Sequence, residues 1–188
     1  MSVLDVVFQT AFHGGRFTPA VDVSEHYQHW ISQKDWRRCL ACKAMHGKIW
    51  RLEETPIPEP PLHPSCRCVV EPMESIRAGT ATMNGTEGAD WALKYEGNLP
   101  DYYITKDDIK ALGWEPCNAP SEFISNKMIA GGVYHNRNGH LPQKSGRTWY
   151  EADIHYKRGE RNSQRIVWSD DGLLFVTYDH YEMFQEII

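Results

Sequence analysis

The chain has 188 residues and a formal charge of −5, with 41% hydrophobic residues and 12% aromatics including seven Trp. That length allows one ordinary domain or two small ones, and the apolar content excludes wholesale disorder. The mildly acidic balance argues against a nonspecific polyanion binder held by a broad basic face.

The first residues, Met1-Ser-Val-Leu-Asp, lack the charged and apolar regions of a secretory signal, so none is expected. Apolar runs such as Leu173–Val176 are far too short to span a bilayer, and no membrane partner is expected. Asp22 or Ser24 is placed to cap a helix carrying Tyr27, Trp30, Ile31 and Trp36. Prolines from Pro56 to Pro64 interrupt the next stretch, and Ala78–Gly88 is small and polar with no apolar period. The expected division is a module at 1–75, a linker at 76–88 and a second domain at 89–188.

In that second domain, Asp90–Tyr95 reads as a short helix ended by Gly97-Asn98. Thr105 caps another, with Asp107 and Asp108 in its first turn and Gly113 just past its end. From Trp149 onward, aromatic and β-branched runs at 149–156, 165–168, 173–178 and 181–187 alternate with turn residues, Ser169-Asp-Asp-Gly172 reading as a hairpin turn. Helices first and strands afterwards describe an α+β fold, with helices packed on an antiparallel sheet.

Glu151 and Asp153, two apart on a strand, face the same way. Arg161, Arg165 and His180 follow at the loops around the next strands. Converging on one face, a carboxylate, two guanidiniums and an imidazole would suit metal-free phosphoryl transfer; the alternative is a set of surface ion pairs.

Gly146-Arg-Thr-Trp-Tyr-Glu-Ala-Asp-Ile-His-Tyr156, Gly159-Glu-Arg-Asn-Ser-Gln-Arg165 and Thr177-Tyr-Asp-His-Tyr181 together resemble the barnase-like microbial ribonucleases. The resemblance continues upstream through Asn136-Arg137, Leu141-Pro142, Lys144-Ser145, Leu99-Pro-Asp101, Ile104-Thr-Lys106 and Ala111-Leu-Gly-Trp114, covering about residues 89–188. It implies a metal-independent endoribonuclease in which Glu151 is the general base and His180 the general acid. Lys106, Arg161 and Arg165 would stabilise the phosphorane, Asp153 would orient the arginines, and Tyr181 would line the site. Arg147 fits its motif in either a site or a structural role. Asn136, Arg137 and Asn138 would bind the base. Asn138 stands where the family has Glu, and an amide offers one acceptor and an opposing donor, so guanine preference does not carry over with the resemblance. Residues 88–188 hold 11 lysines and arginines against 15 acids, a net of −4, so weak long-range steering of RNA is expected.

Cys39-Leu-Ala-Cys42 and Cys66-Arg-Cys68 form two ligand pairs separated by 23 residues, suited to structural zinc, with His46 and His63 in reserve. Disulfides or unconnected thiols are the alternative, and Cys117 reads as a free thiol. The longer pattern Cys39-x-x-Cys42-x-x-Met-His46-Gly47 with Pro60-Pro-Leu-His-Pro-Ser-Cys-Arg-Cys68 resembles the end of phage Mu F-type minor head proteins. The two resemblances together imply a bacterial or phage-delivered toxin acting in the target-cell cytoplasm. RNA is its substrate, no cofactor serves catalysis, a barstar-like immunity protein protects the producer, and the chain is a monomer. The competing reading is a non-catalytic structural or interaction module of a phage particle.

Overall fold

The computed structural model describes residues 19–188, so the first part of the N-terminal module, with Met1-Ser-Val-Leu-Asp, lies outside the described residues. The strands are β1 (Val21–Ile31), β2 (Ile49–Arg51), β3 (Val69–Ile76), β4 (Tyr103–Thr105), β5 (Met128–Tyr134), β6 (Trp149–Asp153), β7 (Arg165–Ser169), β8 (Leu174–Thr177) and β9 (Gln185–Ile187). Three α-helices accompany them: α1 (Leu40–Met45), α2 (Ala89–Tyr95) and α3 (Lys106–Ala111). All nine strands join one sheet in the order β2-β1-β3-β9-β8-β7-β6-β5-β4. The fold is mixed α+β with a large sheet and few helices, and no described helix is long and apolar enough to cross a membrane.

Two sequence expectations are corrected. The sheet is not purely antiparallel, because β3 pairs β9 and β4 pairs β5 in parallel. The helix expected from Asp22 or Ser24 is strand β1. Its pairing with β3 shifts register between Val23 and Gln28, and this irregularity buries Ser24, Tyr27 and Trp30 at a spacing of three that imitates a helical face. Ser24 Oγ accepts from Tyr27 N at 2.9 Å, the contact of a helix cap, and donates to Glu186 Oε2 at 2.6 Å.

The C-terminal strands alternate as their period of two requires. Ile166, Leu174 and Val176 pack on one face with Ala152, Ile187 and Ala89 of α2. Val167 and Phe175 pack on the other with Trp149, Tyr27, Met73 and Phe184. Glu151, two residues after Trp149, therefore belongs to this second face. The hairpin turn forms where expected, with Ser169 N donating to Leu173 O at 2.9 Å. Arg147 braces that turn, donating from Nε and Nη2 to the two Asp171 oxygens at 2.8 Å each.

The stretch 76–88 is packed in place. Ala78 and Ala81 are buried, and Asp90, itself fully buried, accepts from Gly79 N at 2.6 Å and Ala81 N at 2.8 Å and from the Thr82 hydroxyl. A buried carboxylate needs such donors, since an unpaired one is strongly disfavoured.

Candidate active site

Strand β6 supplies Glu151 and Asp153, and β7 supplies Arg165 opposite Asp153 in the antiparallel register. α3 begins at Lys106 because Thr105 caps it, accepting from Asp108 N at 3.1 Å. This places Lys106 Nζ 3.8 Å from Glu151 Oε1. On the other side of the carboxylate, the Tyr181 hydroxyl donates to Glu151 Oε2 at 2.6 Å. Tyr134, at the end of β5, stacks on Tyr181 with ring centres 5.0 Å apart.

His180 and Tyr181 are consecutive non-glycine residues with positive φ, 62° and 67°. Such a pair is strained and persists only when fixed by its surroundings. His180 N donates to Ser163 O at 3.2 Å, Tyr181 N to Thr177 Oγ1 at 3.0 Å, and Met183 N to Asp179 Oδ1 at 3.0 Å. The turn leaves the His180 ring exposed, 5.0 Å from the Tyr181 ring that touches Glu151.

Asp153 is fully buried between two guanidiniums. Arg161 donates to it from Nε at 2.8 Å and Nη2 at 2.6 Å, and Arg165 Nε lies 3.1 Å from its Oδ1. Arg165 Nη1 donates to the carbonyls of Asn162 and Gln164, each at 2.6 Å. The arginines are thus held by one buried anion in preset orientations. Burial opposes the charge on Arg161, but the hydrogen bonds and charge of Asp153 outweigh it and raise the pKa. Burial, then the hydrogen bond and charge of Glu151, push the Tyr181 phenol up, so it remains a donor. Burial and the same carboxylate push Tyr134 up to about 12.

A second cluster lies in the N-terminal part. The ligand atoms of Cys39, Cys42 and His63 fall within 4.8 Å of one another, as do those of Cys42, Cys66 and Cys68. Cys42 Sγ is 3.7 Å from Cys66 Sγ and 3.1 Å from His63 Nε2. Zinc–sulfur bonds of about 2.3 Å in a tetrahedron set sulfurs roughly 3.8 Å apart, so the donor set fits such an ion. His63 Nδ1 donates to Pro64 O at 2.8 Å, which leaves the Nε2 lone pair facing the thiols in the tautomer a metal requires. The expected four-thiol set therefore has a fifth donor, His63. All five cysteines are free thiols.

A family model for ribonuclease matches residues 85–188, more than half of the chain. The chain belongs to the ribonuclease family. A ribonuclease of Heyndrickxia coagulans is 47% identical over 109 residues, covering 57% of this chain and 99% of that protein. Ribonucleases of Bacillus intermedius and Bacillus pumilus are each 47% identical over 109 residues, covering 57% of this chain and 67% of their own. Residues 8–71 match a second family model, for phage Mu protein F like protein. Membership makes RNA the substrate class and endonucleolytic cleavage the activity class of this ribonuclease.

The base-loop residues of the ribonuclease diverge in setting. Asn136 is buried, and its side-chain amide is spent on the loop itself, donating to Leu141 O at 2.9 Å and accepting from Leu141 N at 3.1 Å. Arg137 and Asn138 are exposed. Asn138 lines a cavity together with Arg38, Lys43 and His46. Sequence reasoning missed Tyr134, whose strand is obscured by Gly131-Gly132, and the register of β5 with β6 shifts there.

Proposed function

We propose that the ribonuclease cleaves single-stranded RNA without a metal, by attack of the 2′-hydroxyl on the adjacent phosphorus. The carboxylate of Glu151 takes the 2′-OH proton as the O2′–P bond forms. His180 gives a proton to O5′ as the P–O5′ bond breaks, leaving a 2′,3′-cyclic phosphate. Water then opens the cyclic ester to a 3′-phosphate, His180 accepting the water's proton and Glu151 returning one to O2′. Lys106, Arg161 and Arg165 face the phosphorane with donors whose positions are set before reaction, where fixed charge is most effective. The observation that carries this reading is the placement of Glu151 between Lys106 Nζ at 3.8 Å and Tyr181 Oη at 2.6 Å, on the sheet face that also presents Asp153 and Arg165.

Around this activity, the chain acts as a prophage-type toxin. The division at 1–75, 76–88 and 89–188 separates a carrier remnant from the catalytic domain, with zinc on the cysteine cluster as a purely structural ion. A small acidic immunity protein of the barstar kind would cover the cations of the cleft, and the chain works as a monomer in the cytoplasm of the target cell. Base preference falls to the exposed Arg137 and Asn138, where an amide stands in place of the family's carboxylate.

The test is cleavage of short RNAs, each with a different central base, in EDTA beside Glu151→Ala. A cyclic phosphate product that disappears in the variant supports the mechanism. A folded wild-type chain that cuts none of the RNAs overturns it in favour of a non-catalytic particle module.

A further inference from the structure

The mechanism leaves unused a basic face of the N-terminal part. Residues 34–51 carry Lys34, Arg37, Arg38, Lys43, Lys48 and Arg51 against one acid, Asp35, in a chain of charge −5. The fold sets this basic stretch against the base loop and the His180 turn. Ile49 N donates to His140 O at 2.9 Å, and Lys34 Nζ bonds Glu182 Oε2 at 2.7 Å. Gly47 permits the approach, since a Cβ there would fall 2.1 Å from the Glu182 carbonyl oxygen.

Between the two parts lies a cavity of about 540 Å³, lined by Arg38, Lys43 and His46 on one side and Asn138, His140 and Glu182 on the other. His46 is only 8% exposed. Its Nδ1 accepts from Ser32 N at 3.1 Å, which places the ring proton on Nε2. That buried N–H has no acceptor among the described residues. His46 lines the cavity while its Nε2 atom itself is enclosed, so the ring forms part of the cavity wall. Glu182 is taken by Lys34, so the charges left facing the cavity are those of Arg38 and Lys43, neither paired with a carboxylate among the described residues.

We propose that this cavity is a second anion subsite, in which Arg38 and Lys43, above a wall formed by the His46 ring, hold a non-scissile phosphate of the RNA strand next to the base on the 135–142 loop. The proposal rests on the ribonuclease reading and extends it: the N-terminal part supplies substrate contacts that the catalytic residues lack. Burial, with Lys34 and Arg38 nearby, holds His46 down at about 4, so at neutral pH the ring is uncharged and the positive charge of the cavity is that of Arg38 and Lys43.

Two measurements on the full chain test this. The first is kcat/KM for a dinucleoside monophosphate, whose one phosphate is scissile, against a tetranucleotide. The Arg38→Ala/Lys43→Ala variant is expected to lower the tetranucleotide-to-dinucleotide ratio about tenfold, as loss of charge-assisted contacts to one phosphate would. Arg37→Ala, which lies outside the cavity, keeps the wild-type ratio. The second is anisotropy binding of the 2′-deoxy tetranucleotide, which lacks the attacking hydroxyl. The double variant should bind it about tenfold more weakly, with a salt slope smaller by roughly 0.7 for one lost phosphate contact. A chain that cuts no RNA yet shows this binding loss upholds the subsite and overturns the ribonuclease mechanism. A chain that cuts RNA with an unchanged length ratio and unchanged deoxy-tetranucleotide affinity in the double variant overturns the subsite.

Discussion

The side chain of Glu151 occupies the space that a methyl group on Gly131 would need: a Cβ there would lie 2.6 Å from Glu151 Cγ and 2.9 Å from Oε1. Gly131 is on β5 and Glu151 on β6, at the point where their register shifts. Neither contact tolerates a carbon that close, so Gly131→Ala must displace the carboxylate from Lys106 and Tyr181. If Glu151 is the base proposed above, a displacement of this kind costs on the order of 10²-fold in kcat/KM. The expected outcome is that loss with a urea unfolding free energy lowered by only about 1 kcal/mol. Full activity in Gly131→Ala would show that the position of Glu151 is not critical.

Asp153 gathers Arg161 and Arg165, and both it and Arg165 are buried. Asp153→Asn removes the anion and leaves a buried guanidinium uncompensated, which typically costs about 3–5 kcal/mol. Urea denaturation should show that loss, and activity should fall even where the chain stays folded, because the arginines lose their orientation. A change below about 1 kcal/mol would mean that the carbonyls of Asn162 and Gln164 hold Arg165 alone.

Burial lowers the pKa of His46 to about 4 and also lowers those of His140 and His29. A group whose folded pKa is depressed below its ordinary 6.5 takes up protons more readily when unfolded. Stability is therefore present above pH 6.5 and declines as pH falls from 6.5 toward 4. Lys34, Arg38, Glu182 and His140 are the charged and titratable groups around His46. Glu182, held low by Lys34, loses stability only as pH drops below its ordinary 4.5, so the interval between 4.5 and 6.5 reports the histidines. His46→Asn, whose amide oxygen can accept from Ser32 N, should flatten the dependence there. Thermal melts at closely spaced pH values check it, and an unchanged slope in the variant would sink the assignment.

Cys42 belongs to both groups of donors in the N-terminal cluster. In the zinc-bound protein, Cys42→Ser should reduce metal content measured by mass spectrometry from one ion per chain to none and lower the melting temperature. His63→Ala and Cys68→Ser then identify which of the two completes the site, since the essential ligand loses the ion. Retention of a full equivalent of zinc by Cys42→Ser would place the ion elsewhere.

Much of the candidate site's geometry was legible because its elements are local and strongly marked. Thr105 and Asp108 announce the cap that places Lys106, and the two-residue spacing of Glu151 and Asp153 puts both on one face. The first strand was not legible, because the irregularity around Ser24 replaces alternation with a spacing of three and gives a strand a cap-like serine. The parallel pairings also escaped, since nothing at Ser75 or Ile76 indicates that their partners are Glu186 and Ile187. His46 was read as a reserve metal ligand, yet its Nδ1 is committed to Ser32 and its ring faces a different cavity.

The pairing of β3 with β9 also bears on how the catalytic part could ever travel by itself. The last strand lies between β8 and β3, and Ile188 N reaches Ile76 O at 2.9 Å. Cutting the chain between the two parts would not part them, because they remain laced by backbone bonds. Prising them apart would bare one margin of β9, a row of unsatisfied amides and carbonyls ready to recruit any extended peptide, including another copy of itself. The N-terminal part thus doubles as a selvedge that keeps the sheet from fraying into aggregates.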